Sequence, residues 1–265
     1  MLLQNRSAVI YGGGGAIGGA VARVFAREGA RVFIAGRTQT KLNVVARDIV
    51  AQGGIVETAQ VNVLDEQAVE QHAAAVAATA GRIDIALNAV SFMHDQGTMF
   101  ADLQLETYML PIDRFLRSLL ITSKAVAPYM GEERSGAILT LAAPAAKMAV
   151  PGHLGHIVSC AGIEAFPRAL AAELAPRNVR VVCIRPHAIA NAPEAGSYTN
   201  TLFEQKAKAA GLSVPEWLSG AAQTTMLKRL PTLAEVAETA AFLASDRAGA
   251  MTGAIVNLTC GALVD

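Results

Sequence analysis

The residues Gly12-Gly13-Gly14-Gly15-Ala16-Ile17-Gly18-Gly19 constrain this chain more than any other stretch. They follow Ala8-Val9-Ile10-Tyr11, a short apolar run of the kind that buried parallel strands carry. After them Ile17, Val21, Val24 and Phe25 recur at helical spacing until Gly29 supplies a stop. A strand that passes through glycines into a helix turns tightly and aims the first N–H groups of that helix at whatever lies against them. Glycine also marks ordinary turns, so the run alone says little. Its position between a strand and a helix makes it a phosphate cradle; the plainer reading is a turn that binds nothing.

The rest of the chain alternates between strand and helix signals. Residues 32–35 read as a second strand, and 40–52 as a helix with Leu42, Val45 and Ile49 inward. A third strand ends near Val61-Asn62-Val63. Asp65 then caps a helix reaching about residue 80. Further strands fall at 83–88, 137–141, 179–184 and 254–258, with helices at 116–130 and 156–175 between them. Thr232 and Glu235 form a capping box that opens a helix to residue 244. Such alternation predicts an α/β fold, a single Rossmann-type doubly wound parallel sheet of about seven strands flanked by helices, in one domain over 1–265. Segment 192–225 holds the lone Trp217, interrupts the alternation and reads as a substrate lid. Gly162 and Pro167 lie inside the helix at 156–175 and predict a kink there.

With 265 residues, 52% of them hydrophobic and 17% charged, the chain can bury a core that needs no staples. The formal net charge is zero, which argues against nucleic acid or a membrane surface as partner. No uninterrupted apolar run is long enough to span a bilayer, and residues 1–7 are too short and polar for a signal peptide. Cys160, Cys183 and Cys260 are odd in number and widely spaced. They read as reduced, mostly buried thiols, and the expected location is cytoplasmic.

The second strand ends Ala35-Gly36-Arg37-Thr38, with no carboxylate to receive the 2′-hydroxyl of an adenosine ribose. Arg37 pairs naturally with a 2′-phosphate, so the expected cofactor is NADP, with NAD possible. The other reading of Arg37 is a solvated arginine at a helix start.

At this point the chain resembles the short-chain dehydrogenase/reductase family over nearly its full length. The family's glycine signature, Gly-xxx-Gly-x-Gly, falls on Gly12, Ala16 and Gly18, with alanine at the middle position. Its adenine-side aspartate falls on Asn62, and its Asn-Asn-Ala-Gly turn on Asn88-Ala89-Val90-Ser91. Glu235-Val-Ala, Phe242-Leu-Ala-Ser-Asp, Thr252-Gly253 and Gly261 match it near the end, and Pro186-His187 stands at its Pro-Gly pair. The resemblance implies a dinucleotide held by Gly12, Gly14, Gly15, Ala16, Ile17, Gly18, Arg37, Asn62, Val63, Asn88, Ala89 and Pro186. It also implies an unidentified small-molecule substrate and a homodimer or homotetramer.

The family's chemistry rests on serine, tyrosine, lysine and a helper asparagine. Registering the helix by Glu173-Leu174 and Val179-Arg180-Val181 puts His156 at the tyrosine position and Cys160 at the lysine position. Ala143, or its neighbour Ala142, stands at the serine position, and Phe115 near the asparagine. A tyrosine acid is worth about 10²–10⁴-fold, and one oxyanion donor about 10²–10³-fold. An ordinary carbonyl reductase is therefore not expected. His156 is the best replacement acid, since imidazole titrates near pH 6.5 without a lysine's help; a hydrogen-bonded helix histidine is the plainer reading. His153 and His187 fall near the same strand ends, but no carboxylate or ligand spacing accompanies them, and no metal is expected. Lys147 reads as an exposed loop residue and Cys160 as an inert buried thiol. Three functions stay open: an NADP-dependent oxidoreductase with a substituted site, a catalytically inactive nucleotide-binding homologue, and a lyase or isomerase that has dropped the cofactor.

Overall fold

The computed structural model describes residues 1–264. Seven strands, β1 (Ser7–Tyr11), β2 (Arg31–Gly36), β3 (Ile55–Gln60), β4 (Ile85–Asn88), β5 (Gly136–Leu141), β6 (Val179–Pro186) and β7 (Ile255–Leu258), form one sheet. All its pairings are parallel, in the order β3-β2-β1-β4-β5-β6-β7. Eight helices flank it: α1 (Ala16–Arg27), α2 (Gln39–Ala51), α3 (Glu66–Ala80), α4 (Leu105–Val126), α5 (Leu154–Leu174), α6 (Thr199–Ala209), α7 (Val214–Gln223) and α8 (Leu233–Ala244). This is the doubly wound sheet that the alternation predicts.

Side chains on β1 show why both faces are covered. Ala8 and Ile10 point to one side and pack with Val21 and Phe25 of α1, Leu42 of α2 and Ala240 of α8. Val9 and Tyr11 point to the other, where Val69 and Val76 of α3 and Ile121 of α4 meet them. Every residue of β1 is buried, as a central parallel strand requires. Helix ends follow local chemistry. Asp65 accepts a hydrogen bond from the Ala68 N–H at 3.0 Å to start α3, and Gly81 ends it in the left-handed region. Thr232 and Glu235 form the expected capping box of α8.

Two expectations need correction. β3 stops at Gln60, so Val61, Asn62 and Val63 lie beyond it. Its own residues are half-exposed at the sheet edge, and the more apolar segment that follows misleads a reading by hydrophobicity. α4 begins at Leu105 rather than 116, because Pro111 sits inside the helix instead of marking its start. α5 contains Pro167 within Leu154–Leu174, where the ring removes one N–H from the ladder without ending the helix. Gly162 makes room in the same helix, since a Cβ there would lie 3.1 Å from the methyls of Leu116 on α4. Segment 192–225 contains α6 and α7, and α7 opens with a second capping box, Ser213 and Glu216, which the sequence reading passed over. Among the described residues, no helix is long and apolar enough to cross a membrane.

Candidate active site and cofactor cleft

The strand order reverses between β1 and β4, and a crevice opens at the carboxyl ends of these two strands. Its floor is the glycine turn. Gly12 has φ +84°, and a Cβ on it would lie 2.5 Å from the Ala89 carbonyl oxygen. Gly18 faces the Gly12 carbonyl so closely that no side chain fits. Gly15 is the N-cap of α1, with no side chain covering the first-turn N–H groups and no acid nearby in the turn. An uncapped helix start at the end of a buried strand is an anion site in waiting. The residues therefore fit a diphosphate.

Gly12, Gly14, Gly15, Arg37, Val63 and Ala89 line this cleft together, joined by Lys41 from the first turn of α2. The lining holds two cations and no carboxylate. The other expected residues sit behind it. Ala16 and Ile17 pack against Ile189, Ala192, Leu233 and Val236, which explains why a methyl is accepted at position 16. The exposed Asn62 accepts a hydrogen bond from the Leu64 N–H at 3.3 Å and shapes the turn after β3. Asn88 is buried; its amide donates to the Ser118 carbonyl at 3.2 Å and to Thr122 Oγ1 at 3.0 Å, tying β4 to α4. Its Oδ1 accepts from the Val90 N–H, so it holds the Ala89–Val90 turn in place. Pro186 ends β6 beside Leu258 of β7.

His156 and Cys160 lie one turn apart at the start of α5, with Sγ 3.7 Å from Nδ1 and 3.8 Å from Nε2 of the ring. The backbone of Ala143, past the end of β5, lies close enough to the same thiol to favour its ionised form slightly. Ala143, His156 and Cys160 thus meet at one point. Burial pushes the Cys160 thiol up to about 12, so it is neutral. Burial also takes His156 down to about 3, with His94, Lys206 and His153 adding to the shift. The imidazolium acid expected from an ordinary pKa is therefore scarce at neutral pH.

Residues that the sequence reading missed surround this group. His94, from the connection after β4, places Nε2 2.9 Å from Nδ1 of His156. Its Nδ1 lies 2.7 Å from the Phe92 carbonyl, and Gln96 Nε2 is 3.0 Å from its Nε2. Phe115 meets the His94 ring edge to face at 5.5 Å. Tyr198, just before α6, is half-buried near Cys160, and desolvation raises its phenol to about 12. Lys206 of α6 approaches the histidines and lies 5.9 Å from the centroid of the Trp217 ring. No motif links position 94 to position 156, so only the fold could join them. His187, by contrast, accepts the Ala188 N–H on its own Nδ1. Among the described residues no group of three or more His, Cys, Asp or Glu is arranged to hold a metal ion.

Residues 14–262 match the protein family described as Enoyl-(Acyl carrier protein) reductase. A 3-oxoacyl-[acyl-carrier-protein] reductase from Chlamydia muridarum is 30% identical over 98% of both chains. The chain belongs to the short-chain dehydrogenase/reductase family. Oxidoreductase UcpA of Salmonella typhimurium is also 30% identical, over 95% of this chain and 92% of that protein. A solved short-chain dehydrogenase/reductase from Brucella melitensis, described as glucose/ribitol dehydrogenase, superposes with a TM-score of 0.84. It covers 100% of this chain and 99% of that one at 24% identity, a likeness of fold. Short-chain dehydrogenase/reductases are oxidoreductases that use nicotinamide dinucleotides.

Proposed function

We propose that the protein is an NADP(H)-preferring oxidoreductase of the short-chain family, acting on a small carbonyl or alcohol through a substituted site. The observation that carries this reading is the cleft itself, where an uncapped glycine turn adjoins Arg37 and Lys41 with no carboxylate in the lining. The uncapped first-turn amides of α1 would hold the diphosphate, and the two cations the 2′-phosphate. When bound, the nicotinamide supplies or takes up a hydride.

The chain's own groups then manage the proton. His156 replaces the tyrosine as the proton-handling group. Cys160 stands where the lysine would be, contributing a neutral sulfur and no charge. Ala143 offers no hydroxyl to a developing oxyanion, so rate depends on positioning and on the histidine. Segment 192–225, with Trp217 and Lys206, serves as the substrate lid over this group. The protein works in the cytoplasm as a homodimer or homotetramer, within a single domain. Apolar side chains on α4 and α5 remain exposed in the monomer, among them Leu120 at 57% and Leu154 at 42%, and these support association.

Calorimetric titration tests the cofactor. NADPH is expected to bind at least about tenfold more tightly than NADH, and Arg37→Ala to erase most of that gap, since a charge-assisted hydrogen bond is worth about 1.5–3 kcal/mol. Equal affinity for the two dinucleotides would remove the NADP preference. His156→Phe is expected to lower turnover about 10²-fold or more across a panel of small alcohols and carbonyls. Unchanged turnover would take His156 out of the reaction.

A further inference from the structure

The two histidines differ in what they can donate. His94 Nδ1 lies 2.7 Å from the Phe92 carbonyl oxygen, which only accepts, so this nitrogen must carry the proton. A neutral His94 then has a bare Nε2, and that lone pair faces Nδ1 of His156 at 2.9 Å and the Gln96 amide at 3.0 Å. Two lone pairs cannot share a 2.9 Å contact, so His156 must donate from Nδ1. Its own Nε2 is thereby left bare. Among the described residues, that nitrogen has the Cys160 thiol at 3.8 Å and no oxygen or nitrogen within hydrogen-bond reach.

We propose that His94 is a positioning residue that locks His156 in the Nδ1–H tautomer, so that His156 Nε2 serves as the proton acceptor for a substrate hydroxyl. The inference rests on the oxidoreductase reading above and specifies which half of the reaction the resting site serves. In that step the carbinol carbon loses a hydride, with its electron pair, to an oxidised nicotinamide, and the O–H bond breaks. The proton goes to His156 Nε2, and a carbonyl is left. The new imidazolium keeps its Nδ1–H bond to His94 Nε2, which lets the charge be shared between the rings.

Other groups around the pair agree with a neutral resting state. Asp95 lies beside His94 on its own connection and favours charge there, but burial outweighs it. His153 and Cys160 stand on the α5 side, while Lys206 and Tyr198 come from the segment around α6. Lys206 and His153 each disfavour a second positive charge on the pair. Reduction of a carbonyl would instead begin from the imidazolium, the rare form in this pocket.

Nitrogen-15 NMR of the histidine side chains tests the lock on the protein alone, with no substrate. The wild type is expected to show His156 protonated at Nδ1 and bare at Nε2 near neutral pH. His94→Phe is expected to shift the tautomer ratio at least about tenfold toward Nε2–H, and His94→Gln, whose carbonyl can still accept, to restore the wild-type signature. An Nε2–H resonance for His156 in the wild type overturns the proposal whether or not either variant folds. Titration of the same samples with NADPH separates the two readings. Absent binding would sink the redox assignment and leave the tautomer result intact, whereas binding with the wrong tautomer would sink only the lock.

Discussion

Gly12 shows how much one residue can decide. Its φ of +84° lies in the left-handed region, where a side chain costs about 1–2 kcal/mol. A methyl added there would also sit 2.5 Å from the Ala89 carbonyl oxygen, which belongs to the cleft lining. Gly12→Ala should therefore lower unfolding free energy by at least about 1–2 kcal/mol and weaken NADPH binding about tenfold or more. Urea denaturation and calorimetry on the same sample would check both, and an alanine variant with wild-type affinity would show that the cradle is not the diphosphate site. Cys160 makes the opposite case. Burial raises its thiol to about 12 and keeps it from ionising, so it supplies no charge to its surroundings. On the proposed mechanism His156 therefore works without a cation at that position.

Among the elements, α3 carries a sign that pH can read. His72 packs edge-on against Tyr11 of β1 with ring centroids 5.6 Å apart, and burial takes its pKa from 6.5 to about 4. The folded value is the lower one, so the unfolded chain takes up the proton first on acidification. Stability is thus fully present above pH 6.5 and drains away as pH falls from 6.5 through about 4. His156 acts in the same direction, down to about 3. The urea midpoint should fall across this window, and His72→Leu should flatten part of the fall. A midpoint constant from pH 7 to 4 would mean that His72 is charged in the fold. The α4–α5 pair behaves as a unit for a different reason. Gly155 and Gly162 let α5 close on Tyr108 and Leu116 of α4, and Asn88 fastens α4 to β4. One turn beyond Cys160, Glu164 meets Arg185 of β6 at 2.9 Å, both buried. The floor beneath His156 is in this way pinned to the sheet.

For the molecule as a whole, the sheet order brings the two halves of the site to one crevice. β1 and β4 carry the glycine turn and the Asn88 turn, and β5 and β6 bring Ala143 and Pro186 to the same edge. A ligand bound across that edge stabilises both halves at once. NADPH at about a hundred times its dissociation constant should add about 2.7 kcal/mol to the unfolding free energy. For a chain of this size that is a rise in Tm on the order of 5–10 °C. Differential scanning fluorimetry reads the shift directly, and a Tm indifferent to saturating NADPH and NADH alike would count against dinucleotide binding. Sedimentation velocity on the same material should show a dimer or tetramer, with the exposed apolar residues of α4 and α5 covered.

The sheet and the cleft were legible from linear order because their causes are local. A buried strand needs a continuous apolar run, a helix start needs a cap or glycine, and a diphosphate needs bare amides next to both. Ala8–Tyr11, the glycine run and the Thr232 and Glu235 pair each carry their reason within a few residues. Edges were less legible: β3 is half-exposed and lacks the run, and Pro111 and Pro167 are held in helices by packing that no local rule records. Least legible was the histidine pair. His94 and His156 stand 62 positions apart, and their tautomers depend on a third group, the Phe92 carbonyl. A hydrogen bond between distant side chains has no trace in composition or spacing. It exists because the connection after β4 and the start of α5 are folded onto the same strand ends, and burial there removes the water that would otherwise set each proton's place.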